Sequence, residues 1–129
     1  MNRFLLALLG VLYSFTAGAQ STDWFTYQNS ALTNGVVTVK GSPGPLLGYI
    51  CYNPNAVAAY VQIFDSTTGV VLGTTVAKRV LQVPGLTSTG LQTPNPPFSG
   101  AVGLQVAATS TSSGGAAPSS AISCEFYYR

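Results

Sequence analysis

Apolar and polar residues alternate along most of the chain after residue 20. Val37 and Val39 flank Thr38, and Val61 and Ile63 flank Gln62 in the same way. A period of two is typical of β-strands that bury one face, and no segment carries a convincing helical period. The pattern predicts strands over residues 22–28, 35–40, 46–52, 58–64, 70–75, 80–83, 100–108 and 121–128.

Turn-forming residues separate these segments. Asn34-Gly35, the proline-rich stretch 41–45, Asn53-Pro54-Asn55 and Pro84-Gly85 each predict a turn or loop. Residues 65–69 are expected to form a short hairpin loop, in which the side chain of Asp65 caps the local backbone. Residues 86–97 and 109–120 are expected to be longer connections. Together these features predict an all-β chain: a single β-sandwich, either jelly-roll or immunoglobulin-like, of about seven or eight antiparallel strands.

The predicted core of this sandwich comes from the apolar faces of the strands. One such face is expected in the strand over residues 100–108. Each of the two strands that contain a cysteine is expected to supply another. The residues predicted to face the core in these three strands are Val102, Leu104, Val106 and Ala108; Leu47, Tyr49 and Cys51; and Ile122, Cys124, Phe126 and Tyr128.

The first 19 residues have the features of a secretory signal peptide. Arg3 precedes an apolar run over residues 4–13, which is shorter than the about 20 apolar residues that span a bilayer. Ala17-Gly18-Ala19 supplies small residues where a signal peptidase cuts. Cleavage after Ala19 is therefore predicted, with an uncleaved anchor as the alternative. This leaves residues 20–129 as one secreted, extracellular or periplasmic domain with no membrane span.

The chain contains two cysteines, Cys51 and Cys124, so only one intramolecular pairing exists. Export makes a disulfide plausible, and both thiols are predicted to point to the apolar side of their strands. A reactive thiol would be favoured by a basic neighbour, which neither cysteine has in sequence. We therefore expect a structural bridge, either between sheets or across neighbouring strands.

The composition argues against catalysis, because the chain has no histidine and three acidic residues. A serine nucleophile lacks an activating histidine, and nothing in sequence pairs Asp23, Asp65 or Glu125 as a glycosidase would require. No metal or cofactor site is expected. The only adjacent basic residues are Lys78 and Arg79, too few for a nucleic-acid surface. We therefore expect a protein that is not an enzyme.

Aromatic residues are concentrated near both ends of the predicted domain. Trp24 and Tyr27 belong to the first strand, and Tyr127 lies in the last strand, where alternation leaves it on the face away from the core. Exposed aromatics anchor protein interfaces or stack on sugar rings. The alternative is that these residues form core and cross-strand pairs between the terminal strands.

Two functions remain open from these residues. The first is a structural or adhesive protein that assembles with copies of itself or with a larger surface or fibre structure. Residues 20–33 would then either close the domain's own sheet or pair with a neighbouring subunit. The second is a monomeric carbohydrate-binding or surface-recognition module that uses exposed aromatics. Its candidate stacking residues are Trp24, Tyr27, Tyr52, Tyr60 and Tyr127.

Three stretches of the chain carry a recognisable pattern of turns and strands: residues 48–75 (GYICYNPNAVAAYVQIFDSTTGVVLGTT), residues 80–85 (VLQVPG) and residues 97–129, which begin PFSGAVGLQVAATS. This pattern resembles that of a group of small β-sandwich proteins found among tailed-phage virion and accessory proteins. The resemblance rests on turns and strand faces, so it implies a fold and a role as a virion accessory, virion structural or surface-display protein, without catalytic residues. The signal peptide and the cysteines depart from the pattern and favour an exported relative.

Overall fold

A computed structural model describes residues 23–129, so the predicted signal peptide and its cleavage site lie outside the described part of the chain. The described residues form a β-sandwich, as the sequence predicts. Nine strands are present: β1 (Phe25–Leu32), β2 (Val37–Lys40), β3 (Gly44–Asn53), β4 (Ala59–Phe64), β5 (Arg79–Val83), β6 (Thr87–Ser88), β7 (Phe98–Gly100), β8 (Leu104–Thr109) and β9 (Ile122–Tyr128).

The strands are arranged in two antiparallel sheets. The first, which we call the disulfide sheet, has the order β1-β9-β3, and the far side of β3 is paired with β6 at one end and with β7 at the other. The second sheet has the order β2-β8-β4-β5. Strand β1 therefore closes this chain's own sheet, in which it pairs with β9 from Phe25 opposite Tyr128 to Leu32 opposite Ile122.

The core lies between the two sheets and consists of alternate residues from each strand. Each of its large apolar side chains that is fully buried contributes about 1.5–3 kcal/mol to folding, because it is removed from water. The buried residues of the core are Leu32, Val39, Leu46, Cys51, Ala59, Val61, Ile63, Leu81, Val83, Phe98, Leu104, Val106, Ala108, Ile122, Cys124 and Phe126.

Three predicted features of the strands are wrong. Residues 70–75 form a turn, because Gly73 has a positive φ of 79° and Val71 O accepts hydrogen bonds from the amides of Thr74 and Thr75. The connection between β4 and β5 therefore covers residues 65–78 and is not a short hairpin loop. The predicted strand over residues 100–108 is interrupted, and Val102 lies in the interruption with 52% of its surface exposed.

A β-bulge corrects the predicted face of β3. The register of β3 against β9 shifts between Leu46 and Gly48. A bulge inserts one extra residue, so the alternation of side chains changes phase there. Leu46 therefore joins the buried core, whereas Leu47, which the simple alternation assigned to it, does not.

A buried asparagine network joins the two sheets at one end of the sandwich. The side-chain nitrogen of Asn53, on β3, donates to Val83 O on β5 and to Val57 O. Its side-chain oxygen accepts hydrogen bonds from the backbone amide and from the side-chain nitrogen of Asn55. Asn55 in turn exchanges two hydrogen bonds with the backbone of Ser120. Residues 53–55, which the sequence predicts only as a turn, thus also supply hydrogen-bond partners to the backbone at Val57, Val83 and Ser120.

Candidate interaction surfaces

The disulfide between Cys51 and Cys124 is present, as predicted. The two residues lie directly opposite each other on β3 and β9, and each is 1% exposed. The bridge therefore links neighbouring strands within one sheet. It is buried in the core, which fits a structural role.

The acidic residues are held in separate places. Asp65, at the end of β4, accepts hydrogen bonds from the amides of Ala101, Val102 and Gly103 at 2.9, 2.8 and 3.2 Å. These hydrogen bonds, first those of Val102 and Ala101, lower the pKa of the Asp65 carboxyl. The side chain thus caps a turn 36–38 residues away in sequence. The prediction that it caps its own loop is wrong, because there Ser66 Oγ accepts the hydrogen bond from the amide of Thr68. Within residues 23–129 no group of three or more His, Cys, Asp or Glu side chains is placed to hold a metal ion.

The outer face of the disulfide sheet carries a cluster of large side chains, which we call the aromatic face. Tyr127 on β9 lies opposite Gly48 on β3, and the ring of Trp24 contacts that of Tyr127 with centroids 6.4 Å apart. The glycine leaves a gap on this face that neighbouring side chains fill, since a Cβ there would lie 3.1 Å from Leu91 Cδ1 and 3.7 Å from Tyr127 Cδ2. The aromatic face consists of Trp24, Ile50, Tyr52, Leu91 and Tyr127.

Much of this surface is open to solvent. Trp24 is 59% exposed, Leu91 is 58% exposed and Tyr52 is 48% exposed. The charge on this face includes Glu125, two residues before Tyr127 on the same side of β9. Desolvation, and then the negative charge and hydrogen bond of Glu125, raise the pKa of the Tyr127 hydroxyl.

The other aromatic candidates lie elsewhere. Tyr27 is opposite Phe126 on the inner side of the disulfide sheet and packs against the core. Tyr60 is on β4, opposite Thr109, and belongs to the outer face of the second sheet. The structure thus brings Trp24, Tyr52 and Tyr127 to one face, whereas Tyr27 and Tyr60 lie apart from it. A second aromatic pair, Phe25 with Tyr128, is stacked across β1 and β9 with centroids 5.9 Å apart.

The outer face of the second sheet is covered, unlike the aromatic face. Gln62 and Phe64 on β4 point away from the core by alternation, yet each is only 1% exposed. Two loops, residues 65–78 and residues 110–121, lie over them. Gln62 Nε2 donates to Gly114 O at 2.8 Å, and Gln105 Nε2 donates to Thr67 O at 3.1 Å. The two sides of the sandwich therefore differ, because the loops bury Gln62 and Phe64 on this side, whereas Trp24 and Tyr52 stay exposed on the aromatic face.

The sheet edges also differ from one another. Strand β1 is eight residues long, and its sequence FTYQNSAL contains no charge and no proline. Its pairing is regular from Phe25 to Asn29 and becomes irregular before Leu32. The edge strand β2 has four residues and ends at Lys40, and the edge strand β5 has five residues and begins at Arg79. The remaining edge, beside β3, is occupied by the two short strands β6 and β7.

An open cleft of about 270 Å³ lies on the side of the second sheet. Gln62 and Val80 contribute from β4 and β5, and the two covering loops supply the remaining walls. No charged residue lines the cleft. The lining residues are Gln62, Gly73, Thr74, Thr75, Val76, Ala77, Val80, Ser112 and Ser113.

Comparisons with known proteins identify no relative of this chain. No protein-family model matches this chain, and neither a curated protein nor a solved structure shows significant similarity to it. The resemblance to phage virion proteins therefore remains an expectation from the sequence. In the part of the chain that the structure describes, no helix has the length and apolar character needed to cross a bilayer.

Proposed function

We propose that this protein is an exported, non-catalytic building block that assembles with copies of itself at a cell or virion surface. The observation that carries the proposal is the uncharged edge of β1. An edge strand offers unpaired backbone N–H and C=O groups to another strand, and proteins that remain monomeric usually blunt such an edge with charges, proline or short length. The regular part of β1 has none of these features.

The position of the aromatic face supports the same function. Trp24 precedes β1 directly and contacts Tyr127 on the neighbouring strand. A second copy that pairs along β1 would therefore extend the sheet beside an exposed tryptophan. Buried aromatic residues are frequent anchors of protein interfaces. The low charge of the chain, with 6% charged residues, also reduces repulsion between copies that pack closely.

The geometry favours this function over a planar carbohydrate platform. The rings of Trp24 and Tyr127 are inclined at 61° to each other. Two rings that stack on one extended sugar chain would lie closer to a common plane. Of the five stacking candidates, Tyr27 faces the core and Tyr60 lies on the other sheet, so three remain for such a platform.

Light scattering and negative-stain electron microscopy of the disulfide-bonded protein beginning at Gln20 test the proposal. Filaments, rings or a defined oligomer are expected. A monomer at all accessible concentrations, together with a change in Trp24 fluorescence on addition of glycans, would overturn self-assembly and favour the carbohydrate-binding module. Because Trp24 is the only tryptophan of the chain, its fluorescence reports on the aromatic face alone.

A further inference from the structure

The cleft beside the second sheet has a polar floor with an unused hydrogen-bond acceptor. Gln62 forms part of this floor and is 1% exposed. Both hydrogens of its amide are used, since Nε2 donates to Thr109 Oγ1 at 2.9 Å and to Gly114 O at 2.8 Å. Within residues 23–129 no hydrogen-bond donor is bonded to Gln62 Oε1. This fixed amide oxygen can therefore accept a hydrogen bond from a molecule in the cleft.

The walls of the cleft offer hydroxyl groups and apolar side chains. Thr74, Ser112 and Ser113 line it, and their hydroxyl groups make no hydrogen bond within the described part of the chain. Each hydroxyl can donate and accept. Val76, which is 86% exposed, and Val80, which is 37% exposed, supply apolar surface beside them. The lining thus combines neutral hydrogen-bonding groups with a small apolar wall.

The origin of these walls fits a binding site. They belong to two connections, residues 65–78 and 110–121, that contain no strand or helix and are long for a compact domain. Binding residues are frequently carried on loops that a rigid sheet holds in place. Here the hydrogen bond from Gln62 to Gly114 O holds the second loop, residues 110–121, against the sheet. The same loop is closed by a hydrogen bond of 2.9 Å from the amide of Ser110 to Ala116 O.

We propose that this cleft binds a small neutral polyhydroxylated ligand, of the chemical class of a single sugar ring. A sugar ring has hydroxyl groups that can donate to Gln62 Oε1 and exchange hydrogen bonds with the wall hydroxyls. Its C–H groups suit the two valines. The volume of about 270 Å³ is slightly below the range typical of drug-sized ligands, which fits one ring. The absence of charge in the lining disfavours anionic and cationic ligands.

Backbone amide NMR of the disulfide-bonded protein, titrated with neutral monosaccharides and with a uronic acid, tests this site. Shifts are expected at residues 73–77 and 112–114, with an affinity of about 1 mM for at least one neutral sugar. The absence of saturable shifts with every neutral sugar would overturn the proposal. Tighter binding of the uronic acid would also contradict it, because the site would then select charge.

Two variants connect the binding to the cleft. Val76→Phe should fill the cleft and abolish the shifts, whereas Val57→Phe, at another exposed valine, should leave them unchanged. Thr74→Val keeps the side-chain shape and removes one hydroxyl, so it should weaken binding by about threefold to tenfold. Unchanged binding in Val76→Phe would place the ligand elsewhere. This site and the β1 edge are on different sheets, so either proposal can fail without the other.

Discussion

Cys51 and Cys124 lie opposite each other in the register of β3 and β9, with their Cα atoms 4.2 Å apart. The disulfide thus fastens the central pair of the sheet that also carries β1 and the aromatic face. It closes a segment with a sequence separation of 73 residues, which spans most of the second sheet. The bridge therefore restrains the unfolded chain strongly while it leaves the packing between the sheets to apolar contacts.

Removal of this bridge should destabilise the fold. For a loop of this length the chain-entropy model gives a loss of about 4 kcal/mol in the free energy of unfolding when both cysteines are replaced by alanine. Urea unfolding, followed by circular dichroism, measures the change, with the oxidised wild-type protein as reference. Equal midpoints for the double variant and the wild type would contradict the structural role of the disulfide.

Asn53 should be among the most sensitive polar positions. Its side chain is fully buried, and replacement by alanine removes the hydrogen bonds that it makes with Val57 O, Val83 O and Asn55. Loss of the network should lower the free energy of unfolding by about 2–4 kcal/mol. Asn34→Ala is the matched control, because Asn34 makes one exposed hydrogen bond, to Gly115 O, and should lose less than about 1 kcal/mol. Similar losses in both variants would contradict this account of Asn53.

Asp65 should make stability depend on pH in the acid range. Folding lowers the pKa of its carboxyl below the ordinary value of an aspartate, so the charged form is stabilised in the folded state. The contribution is complete above the unfolded pKa and is lost as the pH falls through the folded pKa. At pH 7 Asp65→Asn should lower the free energy of unfolding by about 1 kcal/mol, a value reduced by solvent screening. Thermal unfolding from pH 7 to pH 2 should show this difference shrink, whereas a constant difference would contradict it.

Trp24 should report assembly through its environment. In the single chain 59% of its surface is exposed, so its emission should be quenched readily by acrylamide in dilute solution. If a second copy packs beside β1, quenching should fall as the protein concentration rises. Tyr52→Ala offers a control, since it alters the aromatic face at a strand that does not contact β1. Concentration-independent quenching in the wild type would argue against burial of Trp24 in the assembly.

The alternation of residues predicts much of the core but not the covered outer face. Val61 and Ile63 pack into the core between the sheets, as their alternation with Gln62 predicts. Gln62 and Phe64 are also buried, since loops distant in sequence fold over them. The alternation within one strand does not show which loops cover its outer face, so it does not predict the cleft that these loops form. The only sequence feature that points to the cleft is the length of the loops between the strands.

Local backbone geometry accounts for the other differences. The apolar residues near Gly73 resemble a strand in composition, but the positive φ of this glycine turns the chain. The bulge near Leu46 changes which leucine is buried, and Asp65 caps a distant turn instead of the loop that it begins. On the aromatic face, the outward position of Tyr127 follows from alternation, whereas its contact with Trp24 depends on the pairing of β1 with β9.

The central claim is that copies of this protein pair along β1. Thr26 and Gln28 are exposed residues of this strand, and their replacement by lysine adds like charges to the edge of both copies. The control Gln82→Lys with Ser99→Lys adds the same charge at exposed positions of β5 and β7. Both pairs of substitutions keep the core intact, so each variant should remain folded.

The most direct measurement is the molar mass of these three proteins by light scattering over a range of concentrations. The wild type and the Gln82→Lys/Ser99→Lys control should form the same oligomer, and the Thr26→Lys/Gln28→Lys variant should dissociate with an equilibrium constant raised at least about tenfold. A wild type that stays monomeric, or an edge variant that assembles as the wild type does, would contradict pairing along β1.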